Sequence, residues 1–128
     1  MEGWECVSID PEMQEKFVSG VQKSAVQGLQ CFRGPMSDFM DTPSPPPLSP
    51  WDRLIVLMIH SHARLIGNAT IDKIRERYGG EKLPTYLVAI PCCATFGTEK
   101  DVGKPDGVYD DDCIFSAKRT VQSWSWAA

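Results

Sequence analysis

No stretch of this chain is apolar for long enough to cross a membrane: the longest run, Leu54 to Ile59, falls far short of the ~20 residues a spanning helix needs. The N-terminus, Met1-Glu-Gly-Trp-Glu-Cys6, lacks the basic start and apolar stretch of a signal peptide. Positive charge is not in excess. Thirteen Lys and Arg against seventeen Asp and Glu leave a net charge of −4, which argues against a stand-alone nucleic-acid binder, because phosphate contact needs clustered positive charge. The only compact basic groups are Lys73, Arg75 and Arg77, and the pair Lys118 and Arg119. Five cysteines, an odd number with two adjacent, do not form a secreted disulfide framework. A reducing, cytoplasmic location is expected, where the sequon Asn68-Ala-Thr70 has no meaning. With no internal repeat and no visible boundary, residues 1–128 are expected to form a single domain.

What is present is organised around two apolar runs that end in chemically capable residues. Leu54-Ile-Val-Leu-Met-Ile59 runs into His60 and His62, and Tyr86-Leu-Val-Ala-Ile90 runs into Pro91, Cys92 and Cys93. Runs of this kind suit strands buried on both faces, as in parallel sheets covered by helices. Residues just past the carboxyl ends of such strands are where open α/β sheets keep their sites. His60, His62, Cys92 and Cys93 are therefore expected along one rim. Three readings of the quartet stay open. It is a substrate-facing group with His60, His62 and Cys92 in catalytic positions, a zinc site, or a polar strand-end pair beside a buried thiol. The zinc reading suffers from spacing, since neither His-x-His nor Cys-Cys matches the usual ligand intervals.

Along the chain, Trp4 to Ile9 is expected as a first strand. Asp10 then caps a helix with Pro11 in its first position and Met13, Phe17, Val21 and Ala25 as an apolar stripe ending near Gly28. Leu29 to Arg33 is a second strand, and Ser37-Asp38-Phe39 is a turn. Residues 42–50, with five prolines, form an extended surface loop. After the strand at 54–59 come helical signals at Ala63-Arg-Leu-Ile66 and at Ile71 to Tyr78. Thr70 caps the second segment, Gly79-Gly80 end it, and its charged residues make a solvated face. The stretch from Thr95 to Asp111 is loop-like, and Cys113 to Trp126 supplies one or two terminal strands on which Trp124 and Trp126 are packing residues. The expected fold is α/β: a mostly parallel Rossmann-like sheet flanked by helices, with a C-terminal antiparallel strand or hairpin.

Taken in order, these segments resemble the class I S-adenosylmethionine-dependent methyltransferases from their second strand onward. Val7-Ser-Ile-Asp10-Pro-Glu-Met is similar to the second strand, Ser37-Asp38-Phe39 to the acidic turn after the third, and Asp52 to His60 to the fourth strand, whose end faces the methyl group. Cys113 to Val121 is similar to the closing hairpin. Leu65-Ile-Gly-Asn68 followed by Ile90-Pro-Cys-Cys93 looks most like the tRNA uridine 2′-O-methyltransferases. The resemblance implies S-adenosylmethionine as cofactor, with Asp10 at the ribose hydroxyls and Asp38 at the adenine, and an RNA substrate facing His60, His62 and Cys92. Helix capping and turn formation remain alternative reasons for the two acids. The family's first strand and its glycine-rich turn have no counterpart here, and no G-x-G-x-x-G occurs in the chain. That strand belongs beside the fourth. The expectation is therefore a truncated or degenerate enzyme, a non-catalytic scaffold of the same fold, or one part of a sheet completed by a partner or by a second copy.

Overall fold

The computed structural model describes residues 3–24, 28–43, 51–59, 61, 63–90, 97–113 and 120–127. The chain is a mixed α/β protein with the element order β1 (Cys6–Ile9), α1 (Glu15–Ser24), β2 (Leu29–Phe32), α2 (Met36–Met40), β3 (Leu54–Ile59), a 3-10 turn (Gly67–Ala69), α3 (Ile71–Tyr78), β4 (Thr85–Ile90), α4 (Gly97–Val102), β5 (Gly107–Asp110) and β6 (Thr120–Trp126). It divides into two compact units, Met1–Thr42 and Pro43–Ala128. Among the described residues no helix is long and apolar enough to cross a membrane.

The first unit is built on β1 and β2, which pair in parallel with Cys6 opposite Leu29 and Ile9 opposite Phe32. Gly28 makes the entry into β2 possible. Its φ is +77°, its carbonyl accepts from Cys6 N–H at 2.6 Å, and a Cβ there would lie 2.6 Å from the Trp4 carbonyl oxygen. The small core holds Met13 and Phe39, with the Phe32 and Phe39 rings edge to face at 5.4 Å.

Helix α1 starts later than expected. Asp10 does not cap it; its Oδ1 accepts from Glu12 N–H at 2.8 Å and closes a turn ahead of the helix. Pro11 and Met13 consequently precede the helix. Phe17 is exposed, so the fourfold stripe is not a buried face.

The second unit is a four-stranded sheet in the order β3-β4-β6-β5. Strands β3 and β4 are parallel, whereas β6 runs antiparallel to both β4 and β5. The antiparallel C-terminal strand was expected. A single, mostly parallel sheet was not what formed: β1 and β2 pair apart, and two of the three pairings in the larger sheet are antiparallel. Strand β5 and helix α4 both lie in the stretch that had read as loop.

A further correction concerns β3. Among the described residues it is an edge strand, and its two faces differ: Met58 is buried, while Ile55, Leu57 and Ile59 are 41%, 62% and 57% exposed. Position in a sheet is set by which strands pair, and an apolar run cannot announce whether it has one neighbour or two.

The buried face of this sheet carries Met58, Leu87, Ala89 and Trp124, joined in the core by Leu65, Ile71, Ile74 and Leu83. Helix α3 behaves as expected at its ends. Thr70 Oγ1 accepts from Lys73 N–H at 3.4 Å, and the N–H groups of Gly79 and Gly80 both donate to the Arg75 carbonyl. Residues Ala63 to Ile66 are not helical; Ile66 is extended ahead of the 3-10 turn.

Candidate functional site

The parallel register places the ends of β3 and β4 side by side. Ile59 pairs with Ile90, so His60 and Pro91 follow two neighbouring strand ends in the sequence. His60, His62, Cys92 and Cys93 themselves lie outside the described residues, as do Lys118 and Arg119. Among the described residues no group of three or more His, Cys, Asp or Glu side chains could hold a metal ion.

What the structure does describe is the anchorage on either side of that rim. Asp101, in the last turn of α4, receives Arg64 in a bidentate pair: Nε to Oδ2 at 2.8 Å and NH2 to Oδ1 at 2.5 Å. Its Oδ2 also accepts from Leu65 N–H at 2.9 Å. The Asp101 side chain is only 2% exposed, while Arg64 is 45% exposed. The hydrogen bond from Arg64 is the main cause holding the Asp101 carboxyl below its ordinary value; burial works in the opposite direction and loses. The same bond raises Arg64 further above an already high value. The clamp ties the chain two residues beyond His62 to the helix that follows Cys92 and Cys93. Sequence reasoning missed it. Thirty-seven residues separate the partners, and Asp101 stood in a stretch without periodicity.

The two acids expected at the cofactor come off one end of the β1–β2 pair. Asp10 directly follows β1, its N–H donating to the Phe32 carbonyl at 3.1 Å and its carbonyl accepting from Gly34 N–H at 3.1 Å. Its side chain is exposed, and only Oδ1 is engaged, in the turn with Glu12. Asp38 lies in the first turn of α2, beyond β2, and is also exposed. It belongs to a short helix rather than to an open turn. The shallow groove bounded by Gln14, Lys16, Phe17, Gly20 and Val21 contains neither acid.

The basic residues of α3 do not share one solvated face. Arg75 is buried, with its NH2 donating to the carbonyls of Glu81 at 2.6 Å and Leu83 at 3.1 Å. Lys73 is paired with Glu76 at 3.5 Å, and Arg77 donates to the Pro43 carbonyl at 3.1 Å. Reading Arg75 as part of a solvated face failed because helical spacing does not reveal that the following turn folds back over its guanidinium. Trp124 is a packing residue as expected: it is buried, and its indole N–H donates to the Gly103 carbonyl at 2.9 Å. Trp126 is half-buried on the same face.

No protein-family model, curated protein or solved structure matches this chain.

Proposed function

We propose that the chain is a methyltransferase-like α/β domain of Rossmann-like type, truncated or degenerate at its S-adenosylmethionine site, with Asp10 and Asp38 on the cofactor side and His60, His62 and Cys92 on the substrate side. One observation carries the reading. Among the described residues, the strand that resembles the family's fourth, β3, has no strand paired on the side away from β4, which is where the family's first strand would lie. Two features add support. The strands resembling the second and third pair in parallel with an acid directly after the first of them, and the closing antiparallel strand lies next to β4.

The exposed carboxylates of Asp10 and Asp38 support one half of this reading. Asp10 offers an exposed carboxylate oxygen suited to a ribose diol, and Asp38 offers a second acceptor beyond β2. No glycine-rich turn follows a strand to cradle the methionine half, so no methyl-transfer step is derived for this chain. Folds host many activities, and the reading therefore stands or falls on binding at these residues. RNA enters it only through the resemblance.

Calorimetry with S-adenosylmethionine tests the proposal. A folded sample should show weak, saturable heat, and Asp10→Asn, which keeps the acceptor for Glu12 N–H, should weaken it about tenfold, equivalent to ~1.4 kcal/mol. No heat from the folded chain at high protein concentration overturns the reading.

A further inference from the structure

The two edges of the four-stranded sheet are built differently. Strand β5 is short, ends in Asp110 and is flanked by Asp106, Asp111 and Asp112, with Asp110 Oδ1 and Asp106 Oδ2 holding Thr120 and Ser125 of β6. Acid of one sign along a short strand guards an edge against unwanted pairing. Strand β3 has no charge within it, its nearest charges being Asp52 and Arg53 just ahead of it. It contains six apolar residues without a charge, a proline or a break in its register with β4, and its outward row Ile55, Leu57 and Ile59 is exposed. Of the strands at sheet edges, β1 and β2 carry polar Ser8 and Gln30 and β5 carries Asp110; only β3 is apolar on both faces.

We propose that the β3 edge pairs antiparallel with β3 of a second copy of this chain, about a two-fold axis perpendicular to the sheet. An edge of unpaired N–H and C=O groups accepts only an extended strand, and burial beside this one requires that strand to be apolar on both faces. The strand in this molecule that meets the requirement is β3 itself. Residues directly opposite in an antiparallel pair share a face, so a two-fold must centre on a single residue. Centring on Leu57 sets Leu57 against its counterpart, Ile55 against Ile59, and Val56 against Met58. Arg53 then lies opposite Ser61. Centring on Val56 would instead press Arg53 against Ile59, burying a charge beside an aliphatic side chain. The result is a continuous eight-stranded sheet whose only free edges are the acidic β5 strands. The proposal is independent of cofactor binding: one is read by mass, the other by heat.

Light scattering coupled to gel filtration of the full chain, across a dilution series, should give a mass of twice 14.3 kDa. Leu57→Lys places two like charges opposite each other and should shift the particle to monomer, raising the dissociation constant at least about tenfold. Tyr109→Lys, on the guarded edge, should leave the mass doubled. Leu57→Cys should form a disulfide-linked dimer faster than the parent chain under mild oxidation, which decides the matter if the lysine variant misfolds. A parent chain that is monomeric throughout the series, an intact dimer for folded Leu57→Lys, or no gain in cross-linking for Leu57→Cys overturns the proposal.

Discussion

Along β3 and β4 the two faces of the larger sheet come from the same alternating strands and differ in exposure, although Val121 of β6, on the outward side, is buried as well. On one face Leu87 is fully buried, and Met58, Ala89 and Trp124 stand beside it. On the other, one residue along each strand, Ile55, Leu57, Ile59 and Tyr86 meet solvent. Hydrophobicity does not separate the two sets, since the outward row of β3 is as apolar as the inward one. What separates them is cover: the inward residues of β3 and β4 are shielded from water, and the outward row of β3 is not. Apolar character makes burial favourable, but only an opposing element makes it happen.

The comparison breaks most sharply at Leu87. Leu87→Ala should remove about 2–5 kcal/mol of stability, as cavities at fully buried leucines do, and chemical denaturation would read it as a lower midpoint with an unchanged slope. A loss below about 1 kcal/mol would mean the buried face is loosely packed.

A smaller effect is expected at the clamp that joins α4 to the chain after β3. Because Arg64 is nearly half in water, Asp101→Asn should lower the melting temperature by less than Leu87→Ala does. The pH dependence separates it from a packing effect. The folded-state pKa of Asp101 is depressed below the ordinary 3.8, so its contribution is complete above that value and fades as pH falls through the lower folded value. The Asn variant should therefore lose stability less steeply than the parent on acidification, and parallel acid profiles would contradict this account of the clamp.

The smallest change belongs on the open face. Leu57→Thr, measured at low protein concentration where chains are separate, should alter stability by no more than about 0.5 kcal/mol, because its side chain is already 62% exposed. A large loss would show that Leu57 has cover within its own chain.

Much of the secondary structure was legible in the residues. The strands at Cys6–Ile9, Leu29–Phe32, Leu54–Ile59 and Thr85–Ile90 follow apolar runs bounded by turn formers, and α3 follows its Thr70 cap and glycine stop. Strand β5 and helix α4 were not legible. Gly107 to Asp110 alternates too briefly, among too many acids and glycines, to carry a period, and β5 exists because β6 lies beside it. Of the candidate site, the shared end of β3 and β4 was foreseen from the grammar of the two runs. The Arg64–Asp101 clamp was not, because an ion pair across the fold leaves no local trace. Asp10 lies four residues ahead of the position that precedes the helix, since an aspartate closes a two-residue turn as readily as it caps a first turn.

Local chemistry was decided by neighbours along the chain: where strands start, and how α3 is capped and stopped. These depend on steric limits and hydrogen bonds spanning a few residues. The strand order, the edge position of β3, the burial of Arg75 and the pairing of Arg64 with Asp101 were decided only when distant segments met. They depend on which surfaces are covered, and a run such as Leu54 to Ile59 is equally apolar with one neighbour or with two.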